Sequence, residues 1–328
     1  MCPGCNQKIN MEIAMTMTPI CLFVYNRPYE TESVLNSLAS CTGAEEHDVI
    51  IFSDAPRSNA PQLLQEVEQV RQIIRRPYRF RSVSIREASQ NKGLAKSIIE
   101  GVTEVLRQYG RAIVLEDDLM FSTDFLQYME AALDTYAEDK RIWSISGYSP
   151  ALRLPADYAH ALYLSPRASS WGWATWLDRW EDIDWNVGDY ATFRRDRKAR
   201  HAFDLGGNDM SRLLDLQQHG KINSWAIRWC YAQFRKGMYT VYPVKSKVMN
   251  QGFGENASHA GWNDARHRVE LDSTPIDMIP TLAPDARVMA AFKQHQDLSL
   301  ISKIGYFIRL HGLGYKKIQQ FFKRIIKN

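Results

Sequence analysis

Residues Ile113-Val114-Leu115-Glu116-Asp117-Asp118-Leu119 set three carboxylates directly behind an aliphatic, β-branched run. Such a run reads as a buried strand. Adjacent carboxylates repel one another and are costly to bury unpaired. They are tolerated where a strand ends and a cation or polar ligand takes up the charge. Hard divalent ions such as Mg²⁺ and Mn²⁺ choose carboxylate oxygens and commonly share them with a substrate's phosphates. The residue types and their placement therefore predict a metal–diphosphate site at the carboxyl end of a sheet strand, where open α/β sheets bind ligands.

Other polar groups close strands in the same way. Pro19 to Tyr25 reads as a strand ending at Asn26-Arg27-Pro28, and Asp48 to Phe52 as a second ending at Ser53-Asp54. Arg81 to Arg86 alternates as a third, before Asn91-Lys92-Gly93. Helical spacing fills the intervals, over 30–40, 61–74 and 93–109, and Arg111 to Leu115 is the fourth strand. Strand–helix alternation implies an α/β, Rossmann-like, mainly parallel sheet flanked by helices, with these polar loops along one rim. Beyond a helix over 123–136 the regularity falls. A short strand at 162–166, an aromatic stretch at 171–176, a polar helical region at 194–220, a helix at 224–236, a strand at 239–243 and a loop at 252–259 complete the pattern.

The 328 residues, 45% hydrophobic and 24% charged, supply ample core for an ordinary globular protein. A formal charge of +4 is too small to argue for nucleic acid. Five scattered cysteines do not form a disulfide framework, and Cys2-x-x-Cys5 lacks a second pair for zinc. No secretory signal pattern and no apolar run long enough to cross a bilayer is visible, so a cytoplasmic location is expected. The expected organisation is a disordered leader at 1–17 and a main domain at 18–270, its first half at 18–125 and its second half at 126–270. An extension at 271–328 follows. Within it, 302–328 is amphipathic and carries only basic charges, a pattern suited to peripheral contact with an anionic membrane face.

Neither a P-loop nor a Gly-x-Gly-x-x-Gly turn follows a strand, which argues against P-loop kinases and dinucleotide-dependent dehydrogenases. The ordered set Tyr25-Asn26-Arg27, Ser53-Asp54, Glu116-Asp117-Asp118-Leu119, Asp124-Phe125, Tyr128, Trp171-Gly172-Trp173 and Phe253-Gly254 to Ser258-His259 resembles GT-A glycosyltransferases. It is similar in particular to bacterial sugar transferases related to the Golgi N-acetylglucosaminyltransferase that starts complex N-glycan branching. The resemblance runs over about residues 18–262. It implies a metal-dependent, inverting transfer from a UDP-sugar donor to a glycan or lipid-linked acceptor in surface polysaccharide or glycan assembly, with Mn²⁺ or Mg²⁺ as cofactor.

By position, the resemblance implies Tyr25 and Arg27 at the donor, Arg27 on the diphosphate, and Asp54 on the uracil N3–H. Glu116 would face the donor sugar, Asp117 the ribose, and Asp118 would ligate the metal. Ser258 and His259 would close over the phosphates, His259 as second metal ligand or phosphate donor. Lys92 would steer the anionic donor. Trp171, Trp173 and Trp225 would wall the acceptor site. An inverting transfer also needs a carboxylate base. The segment matching the relatives' acidic pair, Asn223-Ser224-Trp225-Ala226-Ile227-Arg228-Trp229, has no acid, which leaves Asp209, Asp182 and Asp184 as candidates. Two rivals stand beside this reading: a non-catalytic nucleotide-sugar or glycan-binding relative, and a nucleotidyltransferase making NDP-sugars.

Overall fold

The computed structural model describes residues 17–252 and 267–311. Its first half alternates as the spacing predicts: β1 (Ile20–Val24), α1 (Pro28–Ala39), β2 (Asp48–Ser53), α2 (Pro61–Ile74), β3 (Ser82–Glu87), α3 (Leu94–Tyr109) and β4 (Arg111–Glu116). Proline at the first position of α1 and α2 sets φ for the helix and surrenders an N–H that has no intrahelical partner there. The left-handed Gly110 ends α3 and turns the chain into β4.

The second half adds β5 (Leu119–Phe121), α4 (Phe125–Tyr136), β6 (Ile142–Ser146), β7 (Leu162–Ser165), β8 (Trp173–Trp176) and the short α5 (Leu177–Trp180). Then come α6 (Tyr190–Arg195), α7 (Arg197–Phe203), α8 (Met210–Gln218), α9 (Trp225–Lys236), β9 (Tyr239–Pro243), β10 (Val248–Asn250), α10 (Ala286–Gln296) and α11 (Leu300–His311). Among the described residues, eight strands form one sheet in the order β3-β2-β1-β4-β8-β6-β9-β7, while β5 and β10 pair as a separate antiparallel ribbon. β1 to β4 run parallel to one another. β8 is antiparallel to both β4 and β6. The carboxyl ends of β1, β2, β4 and β6 and the amino end of β8 therefore share one rim. This is the α/β, mainly parallel sheet expected, with β8 inserted in its middle.

Two apolar layers sandwich the sheet. Val34, Leu35 and Leu38 of α1, with Ile73 and Ile74 of α2 and most of α4, pack on one face. Ile98, Val102 and Leu106 of α3 pack with α8 and α9 on the other. Each such aliphatic side chain removed from water contributes roughly 1.5–3 kcal/mol before conformational entropy is counted. The aromatic stretch at 171–176, expected at the acceptor, instead contributes strand β8 of this sheet. Val288 and Phe292 of α10 bury against Tyr163 and Tyr242, so this part of the extension packs on the core. Cys21, Cys41 and Cys230 are buried free thiols. Among the described residues no helix is long and apolar enough to cross a membrane.

Candidate active site

Register brings the acidic run and Arg27 together. Phe23 on β1 lies opposite Glu116 on β4, and the chain leaves β1 through Tyr25-Asn26-Arg27 directly above it. The Arg27 guanidinium donates through Nη2 to Asp117 and through Nη1 to Asp118 Oδ2 at 3.1 Å. One fork thus spans two adjacent carboxylates. Asp117 is buried, and Asp118 lies in the turn before β5. Burial pushes the Asp117 carboxyl up to about 6, with Arg27 opposing the rise. Burial and the neighbouring Asp118 and Asp117 charges push Glu116 up to about 8. The cluster carries more negative charge than Arg27 balances, which is the electrostatic profile of a cation site.

A second arm reaches Asp118 from β10. Asn250 Nδ2 donates to Asp118 Oδ1 at 3.2 Å, and the Gln251 N–H donates to the Asp118 carbonyl oxygen at 2.7 Å. Asn250 Oδ1 accepts from the Gly252 N–H at 2.6 Å. A Cβ on residue 252 would stand 2.5 Å from Asp118 Oδ2, so only glycine lets the backbone pass so close to the carboxylate. Asn250 and Gly252 were not singled out from the sequence. A three-residue strand carries little periodicity, and its pairing partner lies far away in the chain.

The donor set suits a hard divalent cation. Asp118 offers carboxylate oxygens of the kind such ions choose, and Asn250 steadies them by turning its amide nitrogen to Asp118 Oδ1 and its amide oxygen to the Gly252 N–H. Among the described residues, no group of three or more His, Cys, Asp or Glu gathers to hold a metal unaided. One carboxylate plus substrate phosphates and water is an arrangement Mg²⁺-type ions accept. Ser258 and His259 lie outside the described residues.

A model of the GNT-I family matches residues 3–225. The chain belongs to the GNT-I family. No curated protein matches it. Among solved structures, residues 1–349 of TarS from S. aureus in complex with UDP are 20% identical, covering 39% of this chain and 34% of that one, with a TM-score of 0.28. A second TarS structure is 13% identical over 72% of this chain and 61% of that one, with a TM-score of 0.39. The mannosyltransferase PcManGT from Pyrobaculum calidifontis, in complex with GDP-Man and Mn²⁺, is 13% identical over 67% and 68%, with a TM-score of 0.36. The chain thus spans about a third and about three-fifths of the two TarS structures, and TM-scores this low carry no argument about it.

On this sheet, the remaining site residues separate. Asp54 faces its own chain. Its Oδ1 accepts from the Ala55 and Lys92 N–H groups, and its Oδ2 accepts from Gly93 N–H and Asn91 Nδ2, all at 2.8–3.1 Å. Four bonds match the capacity of a carboxylate, so Asp54 fastens the 91–93 loop over the end of β2. Beside it opens a cavity of about 440 Å³ bounded by Phe52, Ile85, Ser97 and Gly101. Lys92 also lines this cavity, but its ammonium is bonded to Glu100 at 2.7 Å. The Tyr25 hydroxyl accepts from the Arg57 N–H at 3.1 Å.

The three tryptophans expected at the acceptor divide. Trp173 and Trp225 are 1% and 3% exposed and stack on each other at 5.3 Å, with Trp229 at 4.1 Å from Trp173. Both are core, which corrects their acceptor assignment: alternation along β8 turns Trp173 toward α9. Trp171 is half-buried at the site rim, edge-on to Tyr148 at 4.6 Å. Gly172 separates the two roles. Its φ of +60°, with Val248 2.8 Å from any added Cβ, reverses the chain between rim and core.

The base candidates are engaged elsewhere. Asp209 is 7% exposed and forms a two-pronged ion pair with Arg167 at 2.7 and 2.9 Å. Asp184 accepts the Asn186 and Gly188 N–H groups and shapes a turn, and those bonds hold its carboxyl below the usual range. Asp182 is exposed, with Lys236 at 3.8 Å. Asp209 and Asp184 thus have structural partners, and Asp182 a surface one. The first turn of α9 is capped by Ser224, whose Oγ accepts the Ile227 N–H, and no acid enters there.

Proposed function

We propose that this chain is a glycosyltransferase that moves a hexosyl or N-acetylhexosaminyl group from a UDP-sugar to a hydroxyl of a glycan or lipid-linked acceptor, with Mn²⁺ or Mg²⁺ bound at Asp118. The observation that carries the reading is the Arg27–Asp117–Asp118 constellation on the rim, joined by Asn250 from β10. Family membership supports a sugar-transferring context.

In the absence of donor, Arg27 bridges Asp117 and Asp118. With the donor bound, the same fork can turn to the diphosphate oxygens, which accept paired N–H donors as a carboxylate does. Asp118 is then available to a cation. A bound divalent ion would stabilise the charge that develops on the departing diphosphate. Asn250 and Gly252 hold the Asp118 carboxylate in place throughout. The cavity beside Asp54 is sized for a base, with the Asp54-fastened loop as one wall. Glu116 would face the donor sugar, and Trp171 would border the acceptor. Inversion at the anomeric carbon follows the family resemblance. The basic stretch 302–328, of which α11 supplies the described part, would hold the enzyme against an anionic membrane face.

The test is thermal stabilisation by a panel of nucleotide sugars, with and without Mn²⁺, on wild type and Asp118→Asn. A ligand present at a hundred times its Kd stabilises the native state by roughly 2.7 kcal/mol. A Mn²⁺-dependent rise with one UDP-sugar, absent in the variant, is expected. No rise with any nucleotide sugar would refute the donor site. The acid-free start of α9 favours one second reading, a relative that binds donors without transferring them. Release of UDP in the presence of candidate acceptors separates the two.

A further inference from the structure

We infer that Lys247 is the positioning residue of this site: its buried ammonium fixes the arm that presents Asn250 and Gly252 to Asp118. The inference rests on the donor-site reading above.

Lys247 is fully buried. Its Nζ donates to Asp124 Oδ2 at 2.6 Å, to the Asp272 carbonyl at 2.8 Å and to the Thr274 carbonyl at 2.7 Å. An ammonium has three N–H donors, and all three are used. The backbone is tied as well. Its N–H donates to the Gly147 carbonyl at 2.8 Å, and its carbonyl accepts from the Ser122 N–H at 2.9 Å. One residue thus joins the end of β6, the entrance to α4 and the 272–274 segment. Asp124 is itself steadied by the Ser122 hydroxyl at 2.6 Å.

The consequence falls three residues on. Val248, Met249 and Asn250 pair with Phe121, Met120 and Leu119, the strand that leaves Asp118. The anchor at 247 and the ribbon pairing together fix where Asn250 meets Asp118. An aliphatic residue at 247 would fill the volume but could not hold two carbonyls and a carboxylate at one point. Buried ion pairs are seldom kept for stability, since well-packed apolar replacements are often as stable. A need to fix one geometry explains this pair, and the geometry it fixes is the Asp118 arm.

The experiment measures Mn²⁺–UDP binding by calorimetry, alongside melting in EDTA, on wild type, Lys247→Met/Asp124→Asn, Asn250→Ala and the triple variant. Removing both charges avoids an unpaired buried Asp124. The double variant is expected to bind Mn²⁺–UDP at least tenfold more weakly. Because Lys247 acts through Asn250, the triple variant should lose less than the product of the separate losses. Wild-type affinity in the folded double variant, or losses that simply multiply, would overturn the inference. Should the double variant not fold, Asp124→Asn alone keeps an acceptor for Nζ and is expected to weaken binding about threefold. A lowered melting temperature with unchanged Mn²⁺–UDP affinity in that variant would show a purely structural lysine and overturn the inference. Failure of wild type to bind Mn²⁺–UDP sinks the donor-site reading instead, so the two failures are distinct.

Discussion

Replacing Asp209 by alanine separates a catalytic carboxylate from a structural one. The Asp209 carboxylate is 7% exposed and accepts two bonds from Arg167, at 2.7 and 2.9 Å. Removing one partner of such a pair leaves an uncompensated, largely buried guanidinium, at a cost of about 3–5 kcal/mol. Among the described residues, Arg167 then keeps a long bond to the Gly206 carbonyl at 3.4 Å, which offsets little. At about 2–4 °C per kcal/mol the melting temperature should fall by roughly 6–20 °C. Transfer measured well below melting should keep its kcat within a factor of about three. A general base would behave oppositely, with kcat falling roughly 10²–10⁴-fold and melting nearly unchanged. The assay is UDP release at 15 °C beside thermal melting, with Arg167→Met/Asp209→Leu as a control expected to recover part of the lost stability. A hundredfold loss of kcat with melting within about 2 °C of wild type would refute the structural assignment.

Trp173→Ala should cost about 3–5 kcal/mol through the cavity it leaves against Trp225 and Trp229, without raising the acceptor KM; a selective rise in that KM would restore an acceptor role. Glu116→Gln should stabilise the protein in EDTA, and the gain should depend on pH. The folded pKa of Glu116, about 8, exceeds its ordinary value of 4.5, so wild-type stability falls as pH rises between them, by up to ~1.4 kcal/mol per pH unit. Urea midpoints at pH 5 and pH 8 check this, and a difference between the two proteins that ignores pH would contradict it. Gly252→Ala places a methyl 2.5 Å from Asp118 Oδ2 and should weaken Mn²⁺-dependent UDP binding about tenfold with little effect on melting; unchanged binding would show that the close approach is dispensable. Deleting 312–328 should reduce sedimentation with anionic but not neutral vesicles, and retained sedimentation would exclude this stretch as the membrane contact.

Local patterns were legible without coordinates. Apolar runs closed by Asn26-Arg27, Ser53-Asp54 and Glu116-Asp117-Asp118 mark strands whose ends meet on one rim. Side-chain period and turn chemistry reside within a few residues, so the boundaries of β1 to β4 and α1 to α3 follow to within about two positions. The pairing of Arg27 with the acidic run was within reach because both lie at the ends of strands that become neighbours. Whatever depends on a distant partner was not. Composition marks Trp171, Trp173 and Trp225 alike as aromatic, and only the register of β8 between β4 and β6 sends Trp173 inward and leaves Trp171 at the rim. Asp209 reads as a free acid until Arg167, 42 residues earlier, closes on it. Asp54 reads as a ligand for a base until the 91–93 loop takes its four acceptor sites. Lys247 reads as one surface lysine among many until Asp124, Asp272 and Thr274 converge on it. The sequence alone determines which residues can carry charge at a strand end. Only the tertiary structure decides which of those charges are already spent on the protein itself, because pairing depends on distance in space and a linear chain does not contain it.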